Sequence, residues 1–134
     1  MPDNELSERF LQGAATIVPV RDVALTVAFY VDVLGFDKRE LSDDGAYGLV
    51  ACGEVGVMVL RSGDAAALLA TSNNISIYIW VDGVDAFYNA LKPKLDALPQ
   101  GRVRPPFNQP YGMREFHVKD PDGCLLFFGQ EIGD

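Results

Sequence analysis

Asn74-Ile75-Ser76-Ile77-Tyr78-Ile79-Trp80-Val81 alternates along its whole length. Ile75, Ile77, Ile79 and Val81 fall on one side, and Ser76, Tyr78 and Trp80 on the other. A β-strand points successive side chains to opposite faces, so this stretch predicts a strand over residues 75–81. Its aliphatic side needs a dry partner, most simply a layer of helix. Its Ser/Tyr/Trp side carries large rings with polar tips, which suit a cleft wall that is part apolar and part wet. The competing reading of that side is a second core layer, with Tyr78 and Trp80 hydrogen-bonded inside it.

Downstream, Asp82-Gly83 leads into Val84, Phe87, Tyr88 and Leu91 at helical spacing, with Pro93 expected to kink or restart the helix. Residues 99–110 read as a loop with a short strand near Arg102-Val103-Arg104. Residues 113–119 and 124–128 read as strands joined by the turn Asp120-Pro121-Asp122-Gly123, with Pro at i+1 and Gly at i+3. The same order occurs upstream. Residues 14–20 predict a strand whose Pro19 belongs at an edge or strand end. Asp22 predicts an N-cap for a helix carrying Val23, Val27, Tyr30 and Leu34, closed by Gly35. Strands follow over 36–41, 46–51 and 57–60. The chain therefore reads βαβββ twice: a tail over 1–13, one module over 14–62, a linker over 63–74 with a short helix near 65–69, and a second module over 75–132. This is an α+β fold, in which two modules form a curved mixed sheet with helices outside and a concave face within.

The chain has 134 residues, 49% of them hydrophobic, with 19 acidic against 11 basic residues and a net charge of −8. It is long enough for one sizeable core. The charge argues against nucleic acid, whose phosphates demand clustered Lys and Arg, and is compatible with a cationic small molecule. No apolar run approaches the roughly 20 residues a membrane span requires. No signal peptide is visible at the start. Cys52 and Cys124 lack CxxC spacing and predict reduced, buried, inert thiols in a cytoplasmic protein.

Several fragments together carry a resemblance over residues 14–132. They are Pro19-Val20-Arg21-Asp22-Val23, Ala28-Phe29-Tyr30, Leu34-Gly35-Phe36, Val81-Asp82-Gly83-Val84-Asp85-Ala86, Tyr111-Gly112-Met113-Arg114-Glu115-Phe116 and Asp120-Pro121-Asp122-Gly123. In this order and spacing the chain resembles the glyoxalase/bleomycin-resistance/dioxygenase superfamily, the vicinal oxygen chelate proteins, and most of all its bleomycin-resistance branch. Enzymes of that superfamily hold a divalent metal on inner strands with His, Gln and Glu. Carried over by register, those positions fall on Ala15, on or near Leu60, on Ser76 and on Phe127, none of which ligates a metal. A slip of one residue, to Thr16, Ile77 or Leu126, does no better.

The resemblance thus implies a metal-independent binding protein without a cofactor. It would sequester an antibiotic or another planar, often cationic, compound in a cleft at the interface of a homodimer. The expected lining is Ser76, Tyr78, Trp80, Phe107, Tyr111, Glu115, His117 and Phe127, with rings to stack on a heterocycle and Glu115 to pair with an amine. The alternative is a divergent metal-dependent lyase or oxidoreductase of glyoxalase or dioxygenase type, using Glu115 and His117 as acid–base groups or unusual ligands. A Ser76–His117 nucleophilic pair lacks a nucleophile elbow. A third reading is an interaction domain with neither ligand nor catalysis.

Overall fold

The computed structural model describes Glu5 and residues 10–133. The tail expected over residues 1–13 therefore lies mostly outside the described residues. The elements are β1 (Ala14–Val20), α1 (Val23–Asp32), β2 (Asp37–Leu41), β3 (Tyr47–Cys52), β4 (Val55–Arg61), α2 (Ala65–Asn73), β5 (Ser76–Trp80), α3 (Val84–Leu95), β6 (Val103–Asn108), β7 (Met113–Lys119) and β8 (Leu125–Glu131). The βαβββ order appears twice, as the periodicity predicts. Each module builds its own four-stranded sheet, ordered β1-β4-β3-β2 and β5-β8-β7-β6, rather than sharing one continuous hydrogen-bonded sheet. In both, the first strand pairs in parallel with the last, and the remaining pairs are antiparallel.

Helices cover one face of each sheet. In the first module α1 lies against β2, β3 and β4. Asp22 caps it, its Oδ1 accepting from the Leu25 N–H at 3.0 Å. The helix sits close because Gly48 leaves room: a Cβ there would come within 2.6 Å of Val27. Beneath it Val18, Val20, Val50, Val57 and Val59 have no exposure at all. Each such side chain contributes roughly 1.5–3 kcal/mol by leaving water. In the second module α3 sets Phe87 and Tyr88 on Phe116, which stacks on Phe128 at 4.8 Å between centroids. Ile77 and Ile79 join this dry layer, as the opening alternation requires.

Four expectations need correction. Pro93, expected to kink or restart its helix, does not restart it: α3 runs unbroken from Val84 to Leu95. It falls in the last turn, where the missing N–H removes a single bond close to the helix end. The strand near Arg102–Arg104 is longer than expected and includes Pro105 and Pro106. An edge strand tolerates them, and the register shifts between Arg104 and Phe107. Gly35, with φ 79°, lies two residues past the α1 cap at Val33 rather than next to it. Cys52 is exposed at the end of β3, although Cys124 is buried as expected.

The modules meet through a buried polar contact. The Tyr30 hydroxyl on α1 donates to Asp120 Oδ2 at 3.1 Å, in the β7–β8 turn. The other oxygen of Asp120 accepts from the amides of Asp122 and Cys124 at 3.0 and 2.9 Å. On the linker, Thr71 Oγ1 donates to the Pro19 carbonyl at 2.8 Å. No helix among the described residues is long and apolar enough to cross a membrane. Tyr30→Phe leaves one buried carboxylate oxygen without its donor and is expected to cost about 1–3 kcal/mol in chemical denaturation. A loss below a few tenths would show that the contact does not join the modules energetically.

Candidate functional site

The face of the second sheet turned away from α3 carries Ser76, Tyr78 and Trp80 on β5. Leu125, Phe127 and Gly129 stand beside them on β8, then Lys119, His117 and Glu115 on β7, and Arg104 and Phe107 on β6. Rings run across it in one strip. Tyr78 lies 5.0 Å from Trp80 and 5.7 Å from Phe127, nearly parallel to the latter. Phe127 lies 4.3 Å from the His117 ring, and His117 lies 5.1 Å from Phe107. The strip ends where the Arg104 guanidinium covers Phe107 at 3.5 Å. Trp80 is 74% exposed, so its ring does not fill a core.

Trp80 also stands where the modules meet. On one side is a hollow of about 330 Å³ bounded by Ala15, Thr16, Gly56, Ile77 and Tyr78. On the other is an apolar hollow of about 270 Å³ reaching Phe36, Val55, Phe87 and Phe128. The open face of the first sheet exposes Ile17, Tyr47 and Leu60, with Glu40 beside the Tyr47 hydroxyl.

Glu115 is completely buried within the aromatic face. Its Oε2 accepts from the hydroxyls of Tyr78 at 2.8 Å and Tyr111 at 2.6 Å. Its Oε1 accepts from Gln109 Nε2 at 3.0 Å and meets His117 Nε2 at 2.8 Å. Burial is the strongest influence on this carboxyl and raises its pKa. The bonds from Tyr111, His117, Gln109 and Tyr78 act together in the other direction and bring it down to about 2. An ionised carboxylate can only accept, so Nε2 of His117 carries the proton in this bond. The charge in turn holds the phenols protonated: hydrogen bonding to Glu115, then desolvation, pushes Tyr111 up to about 12. Tyr78 is raised further, by desolvation first and by Glu115 second.

The sequence did not single out Gln109 or Gly129. Gly129 sits between Trp80 and Glu115 in the ladder, and a Cβ there would collide with the Tyr78 hydroxyl and ring. Its absence lets the phenol cross β8 to reach the carboxylate. A glycine amid alternating large residues on a strand was the available signal for such a close approach. Ser76 shares the face but pairs with Leu125, and β8 separates it from β7. With His117 committed to Glu115, no Ser–His pair forms.

The donor set does not fit a metal. The positions implied for ligands hold Ala15, Leu60, Ser76 and Phe127. Glu115 and His117 bond each other instead of converging on a shared point. Among the described residues no three His, Cys, Asp or Glu side chains group to hold an ion. Nor can Glu115 readily pair with an amine, since its roughly four acceptor positions are filled. Ligand N–H groups would meet the phenol oxygens instead.

The model of the Glyoxalase/Bleomycin resistance protein/Dioxygenase superfamily matches residues 13–128. The chain belongs to this superfamily. It is 29% identical over 128 residues to the bleomycin resistance protein of Geobacillus stearothermophilus, spanning 86% of this chain and 93% of that one. Staphylococcus aureus bleomycin resistance proteins match to the same extent. Among solved structures it is similar to the bleomycin-binding protein of bleomycin-producing Streptomyces verticillus, complexed with copper(II)-bleomycin. That likeness has a TM-score of 0.70 and 27% identity over 92% of this chain and 97% of that one. The bleomycin resistance determinant encoded on transposon Tn5 superposes with a TM-score of 0.71 at 25% identity, covering 90% of this chain and 98% of the other.

The depressed pKa of Glu115 makes a pH prediction. A carboxylate whose folded pKa lies below its unfolded value stabilises the fold above the unfolded value and loses that contribution as pH falls. The loss should run from about 4.5, the ordinary value of a free glutamate, down to about 2. Burial moves Asp120 the opposite way, so the readout is the difference in Tm between wild type and Glu115→Gln across that window. The difference should shrink steadily in acid, and a constant difference would refute the assignment.

Proposed function

We propose that this chain is a small-molecule-binding protein of the bleomycin-resistance type. It takes a planar antibiotic or similar compound on the aromatic face of the second sheet without needing a metal, and it acts in the cytoplasm. The observation that carries the reading is Trp80, exposed at 74% and continuous with Tyr78 and Phe127. Leaving such a ring in water is unfavourable unless something covers it. The bleomycin-named relatives support the ligand class. The alternative of a metal-dependent lyase or oxidoreductase finds no donor set on this face. The expected cationic guest draws support from net charge alone, because the oxygens of Glu115 are engaged.

Calorimetric titration with bleomycin tests the reading. Wild type should bind, and Trp80→Ala should bind at least about tenfold more weakly, the loss of roughly 1.4 kcal/mol of stacking. Its unfolding free energy should stay within about 0.5 kcal/mol of wild type, as for a surface change. Equal affinity of the two proteins, or no binding by either, would reject bleomycin as a guest of this face.

We further propose a homodimer with the cleft at its interface. The reading rests on two uncovered faces, one apolar with Ile17, Tyr47 and Leu60, the other ring-lined. A two-fold axis can set the first face of one protomer against the second of its partner, twice. Sedimentation equilibrium should give twice the chain mass, and Ile17→Glu should shift it toward monomer. A monomeric wild type at micromolar concentration would overturn the dimer without touching the ring-binding reading.

A further inference from the structure

Resting on the small-molecule reading above, we infer that this face holds a subsite for an anionic group, a carboxylate, sulfonate or phosphate, on guests other than bleomycin, which carries none. That group is seated where Arg102, Arg104, His117 and Lys119 close one corner of the aromatic face. These four line a hollow of about 190 Å³ together with Val103 and Leu125, and no carboxylate lines it. The hollow is continuous with the ring strip through His117 and Arg104. A ring stacked on Phe127 and His117 therefore has its edge directed toward a group of cations.

Two of these groups, Arg104 and Lys119, are paired with no acid among the described residues. Arg104 spends its flat face on Phe107 at 3.5 Å, which leaves the N–H edge of the guanidinium for a planar anion. Among the described residues neither Arg104 nor Lys119 has a side-chain hydrogen bond or ion pair. Arg102 is held at the edge of the hollow: its Nε–H donates to the Lys119 carbonyl at 2.7 Å and its guanidinium lies over the Phe29 ring at 5.3 Å. The nearby carboxylate that attracts Arg102 is Asp120, which is itself taken up by Tyr30 and two backbone amides. The negative charge of Glu115 is already covered by four donors. In a chain with net charge −8, two unpaired cations at one hollow whose lining holds no acid mark a recognition point for negative charge.

Three probes with one ring system test this: 2-naphthoate, neutral 2-naphthamide and 2-naphthylmethylammonium, titrated by calorimetry at low ionic strength. The naphthoate should bind about tenfold or more tightly than the amide, and the ammonium more weakly than the amide. Added salt should narrow the gap. The double substitution Arg104→Gln with Lys119→Gln, at two exposed positions, should bring the ratio of naphthoate to amide affinity, read within that one protein, to within about twofold of unity. An ammonium that binds as well as the naphthoate, or a preference that survives the double substitution, overturns the anion site and leaves ring binding standing. If a folded protein binds none of the three, the ring-binding reading fails and this inference fails with it.

Discussion

Burying an ionised carboxylate in a sheet face costs several kcal/mol unless its lone pairs are filled, and Glu115 is the residue around which the second module's open face is arranged. Its donors come from three separate stretches: Tyr78 from β5, Gln109 and Tyr111 from the β6–β7 loop, and His117 from β7 itself. Each donor must hold one rotamer to keep the charge satisfied. The loop must also fold back over the sheet, which it does through Gly112 at φ 84°, where a Cβ would stand 2.9 Å from the Gly133 carbonyl. The result is a rigid floor of oriented phenols and imidazole. Such a surface binds a planar guest with little ordering cost.

The two modules use the same architecture for different ends. Both bury a valine- or phenylalanine-rich face under a helix, and both leave the opposite face uncovered. In the first module that face is aliphatic with one phenol beside Glu40, and in the second it is aromatic with a buried carboxylate and cations at one corner. A single βαβββ unit cannot cover both of its faces, so the chain's chemistry lies on surfaces that the monomer does not close. Tyr30 against Asp120, Arg21 against Asp122 and Arg102 over Phe29 tie the two modules together.

Much of this was legible in the sequence because strand alternation is a local property. Ile77 and Ile79 inside with Tyr78 and Trp80 outside follows from period two alone, and Asp22 announces its cap by position. Pro93 misled because a proline's cost depends on where in the helix it falls, and the end of α3 is set by packing of Leu91 and Leu95. The exposure of Cys52 reflects its place at a strand end, which apolar neighbours in sequence do not reveal. The Glu115 network was half visible: Glu115 and His117 share a face by parity, but their mutual bond, the crossing of Tyr78 over Gly129 and the reach of Gln109 depend on pairings between distant strands. The corner of Arg102, Arg104 and Lys119 was hidden for the same reason, since β6 and the end of β7 meet only in the sheet.

These local facts bear on how charge selects a guest. The net charge of −8 describes the whole surface, yet at physiological salt a fixed charge is felt over only about 8 Å. Within that distance of the aromatic strip, the acid nearest its centre is surrounded by its own donors, whereas Arg104 and Lys119 face a hollow with no acid to balance them. A carboxylate that has spent its lone pairs orients its neighbours, and a cation without a partner still has its full interaction to offer. Selection by this face therefore follows the unpaired charges at its corner more than the larger but distant or satisfied charge of the chain.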